Sequence, residues 1–145
     1  MNWVTVAKDR LCNYSAKKTS MVNLVDEIKE LEYRRRSIRS STSDGSPVAG
    51  GTNKREDMLV NTMVTEGEMK ENLRIVSRWL RRVERGLAEL TDEEKTILER
   101  FYIYPEKGAA ERLATDLGID VKTVYARKDR ALAKFTIAMF GCEKT

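Results

Sequence analysis

Ala110-Glu111-Arg112-Leu113-Ala114-Thr115-Asp116-Leu117-Gly118-Ile119-Asp120-Val121-Lys122-Thr123-Val124-Tyr125 is the stretch whose spacing decides how this chain folds. Two helices that cross steeply at short range need a small residue at their contact, a turn residue free to take positive φ, and branched apolar side chains around both. Ala114 meets the first need, Gly118 the second, and Leu113, Leu117, Ile119 and Val124 the third. Asp120 stands where its carboxylate caps the helix that follows. The spacing predicts a helix-turn-helix, with a short helix from Ala109 to Leu117 and a longer one from Val121 to about Phe140, stopped at Gly141.

Working outward, Leu90-Thr91-Asp92-Glu93-Glu94 carries a capping box. The Thr91 hydroxyl takes the backbone N–H three residues on, and the Glu94 carboxylate reaches back to the cap. A helix therefore starts at Asp92, buries Ile97, Leu98, Phe101 and Tyr102, and ends before Pro105, with Lys107-Gly108 completing the break.

Further upstream the pattern changes to long seams. Val4, Ala7, Leu11, Tyr14, Met21, Val25 and Ile28, interrupted at Lys18, lie three and four residues apart and form one helical stripe that extends through Leu31. This first long helix fills 1–39. Residues 40–53, including Asp44-Gly45-Ser46-Pro47, are small, polar and Gly-rich and read as a flexible connector. A second long helix, about Arg55 to Ala88 within 54–89, carries Leu59, Met63, Met69, Leu73, Val76, Leu80, Val83 and Leu87, a series that recurs once more at Leu90, with Gly67 as its weak point. The expected fold class is all-α: a coiled-coil-like N-terminal hairpin followed by a helix-turn-helix domain at 90–145. The same stripes suit either a hairpin within one chain or a homodimer through the long helices.

Composition narrows the function. A chain of 145 residues, 41% hydrophobic and 34% charged, is too short for a large multi-domain enzyme. It has no His, which removes the commonest general base and metal ligand, and Cys12 and Cys142 alone cannot build a zinc cage. Asp92, Glu93 and Glu94 suit a helix start better than a catalytic carboxylate cluster. No enzyme activity, cofactor or metal is expected. No apolar run reaches the ~20 residues of a membrane helix, and Met1-Asn2-Trp3-Val4 lacks a secretory layout, so the expectation is a cytoplasmic protein without membrane contact.

The net charge of +4 matters through its placement. Between Val121 and Lys134, Lys122, Arg127, Lys128, Arg130 and Lys134 stand against Asp129 alone. With Val124, Ala131 and Phe135 inward, the last helix turns a basic face outward, the arrangement of a helix that enters the major groove of double-stranded DNA. Val121, Lys122, Tyr125 and Ala126 are the expected base-edge contacts, and Arg112, Thr123, Arg127, Lys128 and Arg130 the expected phosphate contacts. Two further basic groups, Arg74, Arg78, Arg81, Arg82 and Arg85 in the second helix and Arg34-Arg35-Arg36 with Arg39 in the first, read either as an extended DNA footprint or as solubilising charge paired with Glu27, Glu30, Glu32 and Glu84.

The run from Leu90-Thr91-Asp92-Glu93-Glu94 through Ala131-Leu132 resembles the fourth domain of bacterial sigma factors. Its pattern is a leucine-threonine-acidic opening, an aromatic near the first helix end, and a helix-turn-helix closed by alanine-leucine. The layout of the whole chain is similar to phage-encoded ArpU and RinA-like late transcriptional regulators. Arg127 departs from the pattern at a place where many such helices carry an apolar residue. The resemblance implies a sequence-specific regulator of phage or prophage late genes in a bacterial host cell, with RNA polymerase as a further candidate partner. A DNA-recognition small terminase subunit and a sigma-like protein that binds polymerase are the alternative readings.

Overall fold

The computed structural model describes residues 1–40 and 51–145. Among them the fold is all-α, with α1 at Trp3–Ser40, α2 at Gly51–Ala88, α3 at Asp92–Leu98, α4 at Ala109–Leu117 and α5 at Val121–Phe140. A π-helical turn, Glu99–Ile103, prolongs α3, and one isolated β-bridge joins Asn2 to Lys144. No described helix is long and apolar enough to cross a membrane. Ser40 closes α1 and Gly51 opens α2, so Ser40 and residues 51–53, expected in the connector, are helical; residues 41–50 lie outside the described residues. A polar composition prevents a segment from building its own core, but extending an existing helix by a turn needs no new nucleus.

The helix ends follow the local chemistry. The Thr91 hydroxyl accepts from the Glu94 amide at 3.2 Å, and the Glu94 carboxylate accepts from the Thr91 amide at 3.0 Å. The Asp120 carboxylate accepts from the Thr123 amide at 2.8 Å and opens α5. Gly118 closes α4 at φ 68 and ψ 34, a left-handed conformation that a side chain would strain, so the chain reverses there without penalty.

The described residues form two compact units: residues 1–18 with 78–145, here the terminal unit, and residues 19–77, the hairpin unit. The terminal unit holds two apolar clusters. Ala7, Leu11, Val83, Leu90, Leu98, Ile103, Ala131, Leu132 and Phe135 form the first, and Ile97, Ala110, Leu113 and Val124 form the second. Neighbours in α3 thus serve different clusters, Ile97 the second and Leu98 the first. The π-helical turn, closed by the Tyr104 amide donating to the Glu99 carbonyl at 2.8 Å, brings Ile103 into the first cluster while Phe101 packs on the second. The first cluster draws on α1, α2 and α5 together, so packing runs across the 89/90 boundary set by the sequence.

Gly86 of α2, which the apolar spacing does not single out, is buried against α5. A Cβ there would stand 2.8 Å from Phe135 Cε2 and 2.9 Å from Met139 Sδ. Trp3 stacks on Phe140 with ring centroids 5.0 Å apart, and its amide donates to the Glu143 carbonyl at 2.9 Å, which fastens the start of α1 to the end of α5. Tyr14 donates its hydroxyl to Glu84 at 3.1 Å; burial and that carboxylate push the phenol up to about 12.

In the hairpin unit, Ile28, Leu31 and Ile38 of α1 and Val76 of α2 are buried. The seam of α2 departs from the expectation. Met63 is 46% exposed, whereas Thr62 and Glu66, three and four residues apart in the series leading to Met69, are buried. The seam keeps its spacing but changes to polar side chains. Glu66 faces Arg35 of α1, whose Nε lies 3.0 Å from Oε2 out of hydrogen-bond line and whose Nη2 donates to Oε1 at 3.5 Å. Lys70 donates to Glu66 at 2.9 Å, and that bond leads the causes holding the carboxyl below its usual range. An ion pair in a seam position fits one register of the two helices and few others. Gly67, expected as a weak point, lies in unbroken helix with nothing near its Cβ position.

The two glycines of α2 should therefore respond oppositely to alanine. Gly86→Ala presses on the fully buried Phe135 ring and should destabilise by about 1–2 kcal/mol, net of the helix-propensity gain. Gly67→Ala should stabilise by about 0.5–1 kcal/mol. Urea unfolding of the two variants measures both.

Acid sensitivity follows from the caps. The Thr91 amide, with Lys134 adding to it, holds the Glu94 carboxyl low, and Thr123 does the same for Asp120. Lowered folded values mean that this stability is complete above the ordinary carboxylate range near pH 4 and is lost as pH falls below it. Melting temperatures between pH 6 and 3 should fall less for the double variant Glu94→Gln and Asp120→Asn, which keeps the cap hydrogen bonds without the titration.

Candidate nucleic-acid interface

The helix-turn-helix is fastened from three sides before any surface is considered. The second apolar cluster takes Val124 from α5 and Ala110 and Leu113 from α4, with Ala114, Leu117, Ile119 and Val121 packed around them. Arg100, in the π-helical turn, donates to Asp116 of α4 at 2.8 Å and to Glu106 at 3.1 Å. Two ion pairs clip α5 to α3: Arg127 donates to Glu93 at 2.7 Å and Lys134 to Glu94 at 3.2 Å. Arg127 thus meets a carboxylate rather than an apolar pocket, which explains how a charged residue is accommodated at that place.

With Val124, Ala131, Leu132 and Phe135 buried, the opposite side of α5 is left to solvent. Lys122, Tyr125, Ala126, Asp129 and Arg130 are all exposed there. Lys122 and Arg130 make no ion pair among the described residues. Arg112 on α4 is 64% exposed, with only a 3.8 Å contact to Glu106. The structure therefore leaves Lys122, Tyr125 and Ala126 open in the first two turns of α5, with Arg112 and Arg130 also exposed.

The remaining expected contacts sit in more packed surroundings. Val121 is half-buried against the second cluster. Thr123 is half-buried and engaged with Asp120 through both backbone and side chain. Lys128 is only 17% exposed: its Nζ lies 5.4 Å from the Phe101 ring centroid, 5.2 Å from that of Tyr125 and 3.3 Å from Asp129. It acts as a cationic clamp between two rings, with Tyr125 itself tilted on Phe101 at 5.9 Å. Tyr125 is both packed and accessible, with one side of its ring on Phe101 and 45% of the residue exposed.

Sequence reasoning missed the clamp and the two clips. Glu93 and Arg127 are 34 residues apart and Glu94 and Lys134 are 40, separations that no local spacing rule connects. The aromatic pair near the end of α3 was the available signal for the clamp. Among the described residues no three His, Cys, Asp or Glu side chains converge to hold a metal ion.

The site thus consists of a short, rigidly backed helix start carrying one unpaired lysine, one half-open tyrosine and one alanine, with the unpaired Arg130 and the exposed Arg112 also on offer. Such a surface suits a polyanion with readable edges. No protein-family model, curated protein or solved structure matches the chain, so its functional reading rests on this geometry.

Proposed function

We propose that the protein is a sequence-specific double-stranded DNA-binding regulator of transcription, with α5 as the helix that enters the major groove. The observation that carries the reading is the division of α5 into a buried side fixed by two clusters and an open side bearing Lys122, Tyr125, Ala126 and Arg130. Placing the N-terminal turns of such a helix against base edges gives Lys122 access to guanine acceptors and Ala126 access to a thymine methyl group. Arg112 and Arg130 then meet phosphates on either side, with Arg127 exchanging Glu93 for a phosphate or sharing both. In this reading Val121, Thr123 and Lys128 hold the helix and Tyr125 in place.

The likeness of Leu90 through Leu132 to the fourth sigma-factor domain supports a role at promoters, and the layout of the chain supports phage or prophage late-gene control in the cytoplasm of a bacterial host. RNA polymerase and a second copy joined through the long helices are the accompanying partners in that proposal.

Selection of preferred duplexes from a random pool, followed by binding measurements on variants, tests the assignment. Lys122→Ala should lose roughly 10- to 100-fold on the preferred site and little on unrelated duplexes. Arg130→Ala should weaken all duplexes alike and reduce the slope of log affinity against log salt by about 1. Selection that enriches no sequence, or a Lys122→Ala variant with unaltered preference, would overturn the base-reading role.

A further inference from the structure

We infer that the outward face of the last third of α2 is a second phosphate-binding surface, on which Arg78, Arg81, Arg82 and Arg85 grip the backbone of duplex DNA outside the segment read by α5. This rests on the DNA-binding reading above, because it assigns the same polymer to another face of the terminal unit.

The four arginines line one shallow groove. Their spacing of three, one and three residues places them along one side of the helix, while Leu80, Val83 and Gly86 face the core. All four are exposed, and none lies within ion-pair distance of a carboxylate among the described residues. Glu84, the acid expected to neutralise them, instead accepts the Tyr14 hydroxyl. Arg85 Nε donates to the Arg81 carbonyl at 3.4 Å, which keeps that side chain along the helix axis. Of the five arginines that the sequence groups here, Arg74 pairs with Glu71, and the other four form none of the solubilising ion pairs that the sequence allowed.

Four like charges at such spacing repel one another and do no packing work, so the arrangement is stabilised by a polyanion. Every member is arginine, whose planar fork matches phosphate oxygens two at a time and is less strongly hydrated than an ammonium group. From Arg78 to Arg85 the helix rises about 10 Å, and phosphates on one strand follow at about 3.4 Å along the duplex axis, so the stripe spans about three of them.

The test compares the full chain with a quadruple variant, Arg78→Gln, Arg81→Gln, Arg82→Gln and Arg85→Gln, and with its quadruple Arg→Lys counterpart. Binding to a long duplex carrying the preferred site is followed by fluorescence anisotropy over a salt series, with melting temperature as the control for folding. The Gln variant should bind about 100-fold more weakly near physiological salt, with the slope of log affinity against log salt shallower by about 3 and the order of preferred sequences unchanged. The Lys variant should keep most of the slope. Wild-type affinity and slope in the Gln variant would overturn the proposal while leaving α5 as the reading helix, and would point to a protein partner for the stripe. Failure of the wild-type chain to bind any duplex would overturn the α5 reading and this one with it.

Discussion

Ile97 and Leu98 are adjacent in α3 and buried in different apolar clusters, and the placement of α5 depends on that division. Leu98 belongs with Phe135 and the ends of the long helices, while Ile97 belongs with Val124 and the helix-turn-helix. Because α5 enters both clusters, at Val124 in one and at Ala131, Leu132 and Phe135 in the other, it is held at two points along its length and cannot pivot about either. The burial of large side chains at both points supplies the main stabilisation, at roughly 1.5–3 kcal/mol for each fully buried Leu, Val or Phe. The ion pairs to Glu93 and Glu94 are half-exposed and orient the helix more than they stabilise it.

Fixing α5 in this way has a chemical result. Its polar side is not needed for the core, and the cations on it fall into two groups with different fates. Arg127, Lys128 and Lys134 are engaged by Glu93, by Phe101, Tyr125 and Asp129, and by Glu94 respectively. Lys122 and Arg130 are left open. A helix that spends three of its five basic residues on its own placement and leaves the other two to solvent differs from a uniformly solvated basic helix, and that difference favours the proposed role in reading DNA. The arginine stripe of α2 repeats the same division on a larger scale, with packing on one side and unpaired charge on the other.

Much of this was legible in the sequence because it depends on local rules. The capping box at Thr91 and Glu94, the Asp120 cap, and the stops at Gly118 and Gly141 all operate within a few residues. The seams of α1 and α2 were legible at Ala7, Leu11, Ile28, Leu31, Val76, Leu80 and Val83, whereas Val25, placed on the same apolar stripe of α1, is exposed. They were lost where the seam turns polar: choosing residues by hydrophobicity selected Met63, but the series passes through Thr62 and Glu66. What depends on contacts between distant segments left no local trace. The close approach at Gly86, the Lys128 clamp, and the sharing of one core by α1, α2 and α5 are of that kind. Within the candidate site, the exposed positions Lys122, Tyr125 and Ala126 followed from periodicity once Val124 was taken as buried. The half-burial of Val121 and Lys128 did not, because it is set by α3 and the π-helical turn.

The most direct test of the account is a map of backbone amide chemical shifts in the full chain as duplex DNA carrying a selected site is added at low ionic strength. The largest changes are expected at Lys122, Tyr125, Ala126 and Arg130, with the seam residues Ile28, Leu31 and Glu66 of the hairpin unit nearly unmoved. Shifts confined to the hairpin unit, or none in α5 at saturating duplex, would contradict it.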